Sequence, residues 1–135
     1  MGINLMLRLI LIVLAGLLCA CGAQGSSEQS TRQLTEADNG RSIELKVGDE
    51  LEVTLPGNPT TGFQWEVSDV DSVILTPIGD PEFVPASNAV GSGGQVTLRF
   101  EAVGTGQTEL KLIHHRPFEE NVAPIQTFEV SVTVK

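Results

Sequence analysis

The sequence predicts an all-β domain, a sandwich of two antiparallel sheets with about seven strands. Three observations carry that reading. From about residue 41 to the C-terminus, apolar and polar residues alternate with period two, as in strands that bury one face. The alternating segments are short and separated by turn residues, with 14 Gly and 7 Pro in 135 residues. No segment has the 3.6-residue apolar period of a helix packed on a core.

The chain opens with a targeting pattern. Arg8 precedes the apolar run Leu9 to Leu18, which is too short for a membrane-spanning helix of about 20 residues and suits the core of a signal peptide. The run ends in Leu18-Cys19-Ala20-Cys21, which resembles a bacterial lipobox with Leu at −3, a small residue at −1 and Cys21 as the first mature residue. Cys19 fits less well as the modified residue, because Leu18 would then stand at −1. A plain secretory signal is the blander alternative. The expectation is a lipoprotein signal peptide over 1–20 and a lipid, including palmitate, on Cys21. The protein would then be held at a membrane of the cell envelope, facing the periplasm or the exterior. Both cysteines fall in this region, so the rest of the chain has neither disulfide nor thiol chemistry and depends on its core. Residues 21–40 are polar and rich in Ser, Gln and Gly. They read as the lipidated Cys21 and a flexible linker, with the folded domain over 41–135.

The strands follow in order. Ile43, Leu45 and Val47 alternate with Ser42, Glu44 and Lys46, and after a turn at Gly48-Asp49, Leu51, Val53 and Leu55 alternate with Glu50, Glu52 and Thr54. Phe63, Trp65 and Val67 face one way in a third strand and are expected in the core. A less regular strand runs near Val73 to Ile78. Val96, Leu98 and Phe100 mark the fifth, Thr108, Leu110 and Leu112 the sixth, and Phe128, Val130, Val132 and Val134 the last. Strands apolar on one face must bury it against a second sheet, and an immunoglobulin-like sandwich is the economical arrangement at this length. With seven strands running alternately up and down, the loops 56–62, 79–94 and 114–124 converge at one end. Three long loops at one end of a rigid sandwich form a binding surface.

Each loop has its own chemistry. Pro59 fixes its own φ and pushes Asn58 toward an extended conformation, while Gly62 permits a positive φ where the chain turns into the third strand. Thr60 and Thr61 are thereby held at the tip of a stiff turn with little entropy left to lose on binding. Gly91, Ser92, Gly93 and Gly94 permit close approach of a partner to backbone, and a plain flexible tip explains them as well. Arg116, Pro117 and Phe118 place a cation and an aromatic ring at a turn, residue types enriched at interface hot spots. Phe118 can equally fold back into the core.

Charge and spacing exclude several functions. With 8 Lys and Arg against 17 Asp and Glu, the net charge is −9, the wrong sign for a phosphate backbone or an anionic lipid surface. Gly91 to Gly94 is no phosphate loop, since no Gly-Lys-Ser/Thr follows. His114 and His115 are adjacent on a strand and point to opposite faces, which argues against a shared metal. No serine triad is marked, and Glu119-Glu120 beside Asn121 reads as a solvated loop. No cofactor, metal or catalytic residue is expected.

Order and spacing unite the loops. Asn58-Pro59-Thr60-Thr61-Gly62-Phe63, then Gly91-Ser92-Gly93-Gly94, then Arg116-Pro117-Phe118 resemble the three loop motifs of the chagasin family of cysteine-peptidase inhibitors. The resemblance covers about residues 43–135. That family has Trp where this chain has Phe118, a change that keeps an aromatic face but loses area and the indole N–H. The resemblance implies a monomeric, reversible, non-covalent inhibitor of papain-like cysteine peptidases. Thr60 and Thr61 would obstruct the catalytic thiolate, Arg116 to Phe118 would pack on the primed side of the cleft, and Gly91 to Gly94 would line the opposite wall. A cell-envelope binding module that uses the same sandwich for another partner is the alternative.

Overall fold

The computed structural model describes Gly22, Gly25 and residues 28–135; the expected signal peptide, Cys21 and residues 23, 24, 26 and 27 lie outside the described residues. Among the described residues the fold is all-β, with eight strands in two four-stranded sheets. One sheet has the order β1-β3-β6-β5, formed by Thr31–Thr35, Glu50–Gly57, Gly94–Ala102 and Leu75–Pro85. The other has the order β2-β8-β7-β4, formed by Ser42–Leu45, Gln126–Val134, Gly106–His115 and Gln64–Asp69.

Register follows from the alternation. In the β3–β6 pair, Leu51 opposes Phe100, Val53 opposes Leu98 and Leu55 opposes Val96, and all six side chains are buried. Leu110 opposite Val130 and Leu112 opposite Phe128 supply the facing layer from β7 and β8. A one-residue slip in either pair would turn the whole set to solvent, so burial fixes the register. On the outer face of β3 and β6 the Thr54 and Thr97 hydroxyls share a hydrogen bond of 2.9 Å. Nearby, Arg99 bridges Glu52 and Glu82 at 3.1 and 3.0 Å.

The folded unit begins about ten residues before the expected start at 41. Thr31–Thr35 runs parallel to β3, with Leu34 paired to Val53 and fully buried. A 3₁₀ turn at Glu36–Asp38 follows, closed by Asp38 Oδ2 accepting from Thr35 N at 2.8 Å. The chain then crosses to the other sheet, where β2 runs parallel to β8. The sheets are therefore mixed, where antiparallel ones were expected. An edge strand with one inward side chain shows no alternation, so residues 31–40 read as linker.

Other boundaries also move. Val47 and Val73, expected in strands, lie in turns and are 51% and 76% exposed. The irregular fourth strand is longer than expected, because Leu75–Pro85 passes through a register shift between Ile78 and Glu82. Pro77 and Pro81 fit there because β5 is an edge strand and its free side needs no N–H donor. Residues 79–85 therefore belong to this strand, and the 79–94 loop contracts to 86–93.

Candidate functional site

Strand direction brings the β3–β4, β5–β6 and β7–β8 connections to one pole of the sandwich, and hydrogen bonds join them there. Trp65 closes the base of the first. Its ring is 3% exposed, and its indole N–H donates to the Pro56 carbonyl at 3.0 Å. Above it, Pro59–Thr61 forms a single 3₁₀ turn with Asn58 as cap. The Asn58 side-chain oxygen accepts from Thr60 N at 3.2 Å and from Thr60 Oγ1 at 2.6 Å. Its backbone oxygen accepts from Thr61 N at 3.1 Å and from Thr61 Oγ1 at 2.6 Å. Gly62 ends the turn at φ +82°, the left-handed conformation that favours glycine. Pro59, Thr60 and Thr61 stay exposed on this braced frame.

The second connection is tied to the first. Asn58 Nδ2 donates to the Gly91 carbonyl at 3.0 Å. Ala86 N donates to Gly93 O at 2.9 Å, closing the 86–93 loop, and the Ser92 hydroxyl donates to Gly93 O at 2.9 Å. Gly94 is required by contact: a Cβ there would collide with the carbonyl oxygen of Val84 on β5.

The third connection locks onto the first from the other side. Arg116 Nε donates to Thr61 O at 3.1 Å, and its Nη1 donates to Glu119 Oε1 at 3.0 Å. The guanidinium carbon lies 4.3 Å from the centre of the Phe63 ring, a cation–π stack. Phe63 is thus not a core residue as expected; it is half-buried at the mouth of the sandwich and supports Arg116. Pro117 is exposed. Phe118, for which two readings stood open, is 71% exposed, with its ring edge 3.0 Å from where a Cβ on Gly62 would lie. Val90, Val122 and Ile125 are exposed on these same connections.

Sequence reasoning missed the support beneath the pole. His114 stacks on Trp65 at 4.7 Å with an interplanar angle of 6°, and its centroid is 5.6 Å from that of Phe63. Its ring borders a cavity of about 210 Å³ between the sheets. Among the described residues neither of its ring nitrogens has a hydrogen-bond partner. Burial, and secondarily His115, hold its pKa below the ordinary value. The neutral ring therefore behaves as an aromatic spacer in a column running from Trp65 to Arg116. The alternation through Leu110 and Leu112 already pointed His114 inward, a signal that was available. His115, on the other face, pairs with Glu66. Among the described residues no His, Cys, Asp or Glu cluster could hold a metal ion.

With that geometry in place, comparison with known proteins is direct. The profile of the chagasin family peptidase inhibitor I42 matches residues 44–132. The chain belongs to this family. The family is one of peptidase inhibitors, not enzymes. The chain is 32% identical over 105 residues to amoebiasin-1 of Entamoeba histolytica, covering 76% of this chain and 98% of that one. The crystal structure of EhICP2, a cysteine protease inhibitor from Entamoeba histolytica, superimposes with a TM-score of 0.68 at 19% identity, covering 80% and 98% of the two chains. PbICP-C, solved in complex with falcipain-2, matches with a TM-score of 0.52 at 18% identity over 79% and 92%. These last two likenesses concern the fold.

Proposed function

We propose that the protein is a reversible, non-covalent inhibitor of papain-family cysteine peptidases that places its three-loop pole in the active-site cleft. The observation that carries this reading is the bonding of the three motif loops into one body by Asn58 to Gly91 and Arg116 to Thr61. A braced wedge loses little entropy on docking, which is how interfaces of about 1,600 Å² reach high affinity. Thr60 and Thr61 project at its tip and face the peptidase thiol. They offer no electrophile, so no covalent bond forms. Arg116, Pro117 and Phe118 form one flank and Gly91, Ser92, Gly93 and Gly94 the other, the latter presenting mostly backbone. Phe118, where the family motif has Trp, retains an aromatic face at the flank with less area and no N–H donor.

The inhibitor acts as a monomer and is carried on a lipid at Cys21 after removal of residues 1–20. It is thereby held at a membrane of the cell envelope, facing the periplasm or exterior. Titration of papain with the purified domain tests inhibition: tight, reversible loss of activity is expected, and full activity at micromolar inhibitor would reject the reading for that target. Metabolic labelling with palmitate tests the anchor, since label should be present in the natural chain and absent after Cys21→Ser.

A further inference from the structure

The pole opposite the three loops has a surface of its own. Three turns meet there: the β2–β3 turn with Val47, the 70–74 segment before β5 with Val73, and the β6–β7 turn with Val103. Backbone bonds join the first two to the third, from Gly48 N to Ala102 O at 2.8 Å and from Val103 N to Ile74 O at 2.9 Å. Their valines point outward, 51%, 76% and 44% exposed. The period-two pattern set Val47 on an inward face, and Val73 was expected to open a less regular strand, yet both lie in turns.

The chain enters the fold at this same pole. Thr31 pairs with Glu50 at the start of β3, so the chain enters the sandwich beside the β2–β3 turn that carries Val47. The junction is fastened. Asp49 is 8% exposed, and its carboxylate accepts from Ser30 N at 3.2 Å and from Lys46 N at 2.8 Å, while Glu50 N donates to Ser30 O at 2.9 Å. Cys21 lies ten residues before Thr31, within about 35 Å of it even at full extension.

We propose that this pole rests on the phospholipid surface to which Cys21 is anchored, with Val47, Val73 and Val103 in contact with the headgroup region. The inference depends on the anchor reading given above. Three valines are too small a patch to recruit a free protein, but a tether of this length raises their local concentration at the bilayer enough to bias orientation. The contact is apolar because a chain of net charge −9 gains nothing from anionic lipid. β3, with eight residues, then holds the three loops roughly 26 Å farther out, directed away from the membrane and toward whatever peptidase approaches it.

The test uses the full chain, lipidated in a bacterial host and reconstituted in phosphatidylcholine vesicles containing nitroxide-labelled lipid. Val73→Cys, Val103→Cys and Phe118→Cys each carry an environment-sensitive fluorophore, with Trp65 emission confirming the fold. Labels at 73 and 103 should be quenched at least threefold more than the label at 118. Equal quenching, or stronger quenching at 118, on membrane-bound protein would overturn the orientation alone. If the unsubstituted chain stays in the soluble fraction, the anchor reading fails and the orientation fails with it.

Discussion

Among the described residues the two poles of the sandwich each bury one ionisable side chain, and they do so in opposite ways. At the pole where the chain enters, Asp49 stays charged. The Lys46 backbone N–H, first among its causes, holds its pKa below the ordinary value against the opposing effect of burial. At the loop pole His114 stays neutral, stacked on Trp65 and tilted against Phe63, without a hydrogen-bond partner among the described residues. One pole is fastened by charge and hydrogen bonds, the other supported by a column of rings. The difference teaches that the loops draw rigidity from two layers: apolar stacking below, and cross-loop hydrogen bonds from Asn58 and Arg116 above.

That contrast can be broken most forcefully at Trp65. Trp65→Ala removes the ring that closes the first loop and should cost about 3–5 kcal/mol of stability in denaturant unfolding. Phe118→Ala should do the reverse. Stability should hold, since the ring is exposed, while papain inhibition weakens about 30-fold, near 2 kcal/mol. A large fall in its melting temperature would instead make Phe118 a structural residue. Asn58→Ala deletes the cap and the link to Gly91, and should lower stability by about 1–2 kcal/mol while weakening inhibition.

The pH dependence separates the poles. His114 has a folded pKa below its ordinary 6.5, so between the two values the unfolded chain binds more protons. Its contribution to stability is complete above pH 6.5 and is lost as pH falls toward the folded value. Asp49, lowered from 3.8, keeps its contribution down to about that pH and loses it only in stronger acid. His114→Phe should flatten the unfolding profile just below pH 6.5, and Asp49→Asn should flatten it below pH 4. Each should leave the other window intact. The smallest effect is expected from Val73→Ser, which should change stability by less than about 0.5 kcal/mol and leave inhibition in solution unchanged.

Much of this was legible beforehand because strands have a period of two. Leu51, Val53 and Leu55 announced an inward face, and their partners on β6 followed from burial. The loop motifs were legible because Pro59, Gly62 and Gly94 meet backbone demands that few residues satisfy. Leu34 was not legible, since one inward residue has no period. Phe63 was misread because alternation gives the side of a strand but not how far the core extends along it; at the strand's end the inward position opens onto Arg116.

By itself, then, the sequence determined the all-β class, the inward faces and the three motifs, because these depend on neighbours along the chain and on local backbone limits. Tertiary structure alone decided that β1 completes a sheet, that Phe118 faces outward while Trp65 is sealed, and that His114 joins the loop support. It also decided that Val47, Val73 and Val103 share the pole where the chain enters. Those outcomes rest on contacts between segments tens of residues apart, and the pattern within one segment does not encode what another places against it.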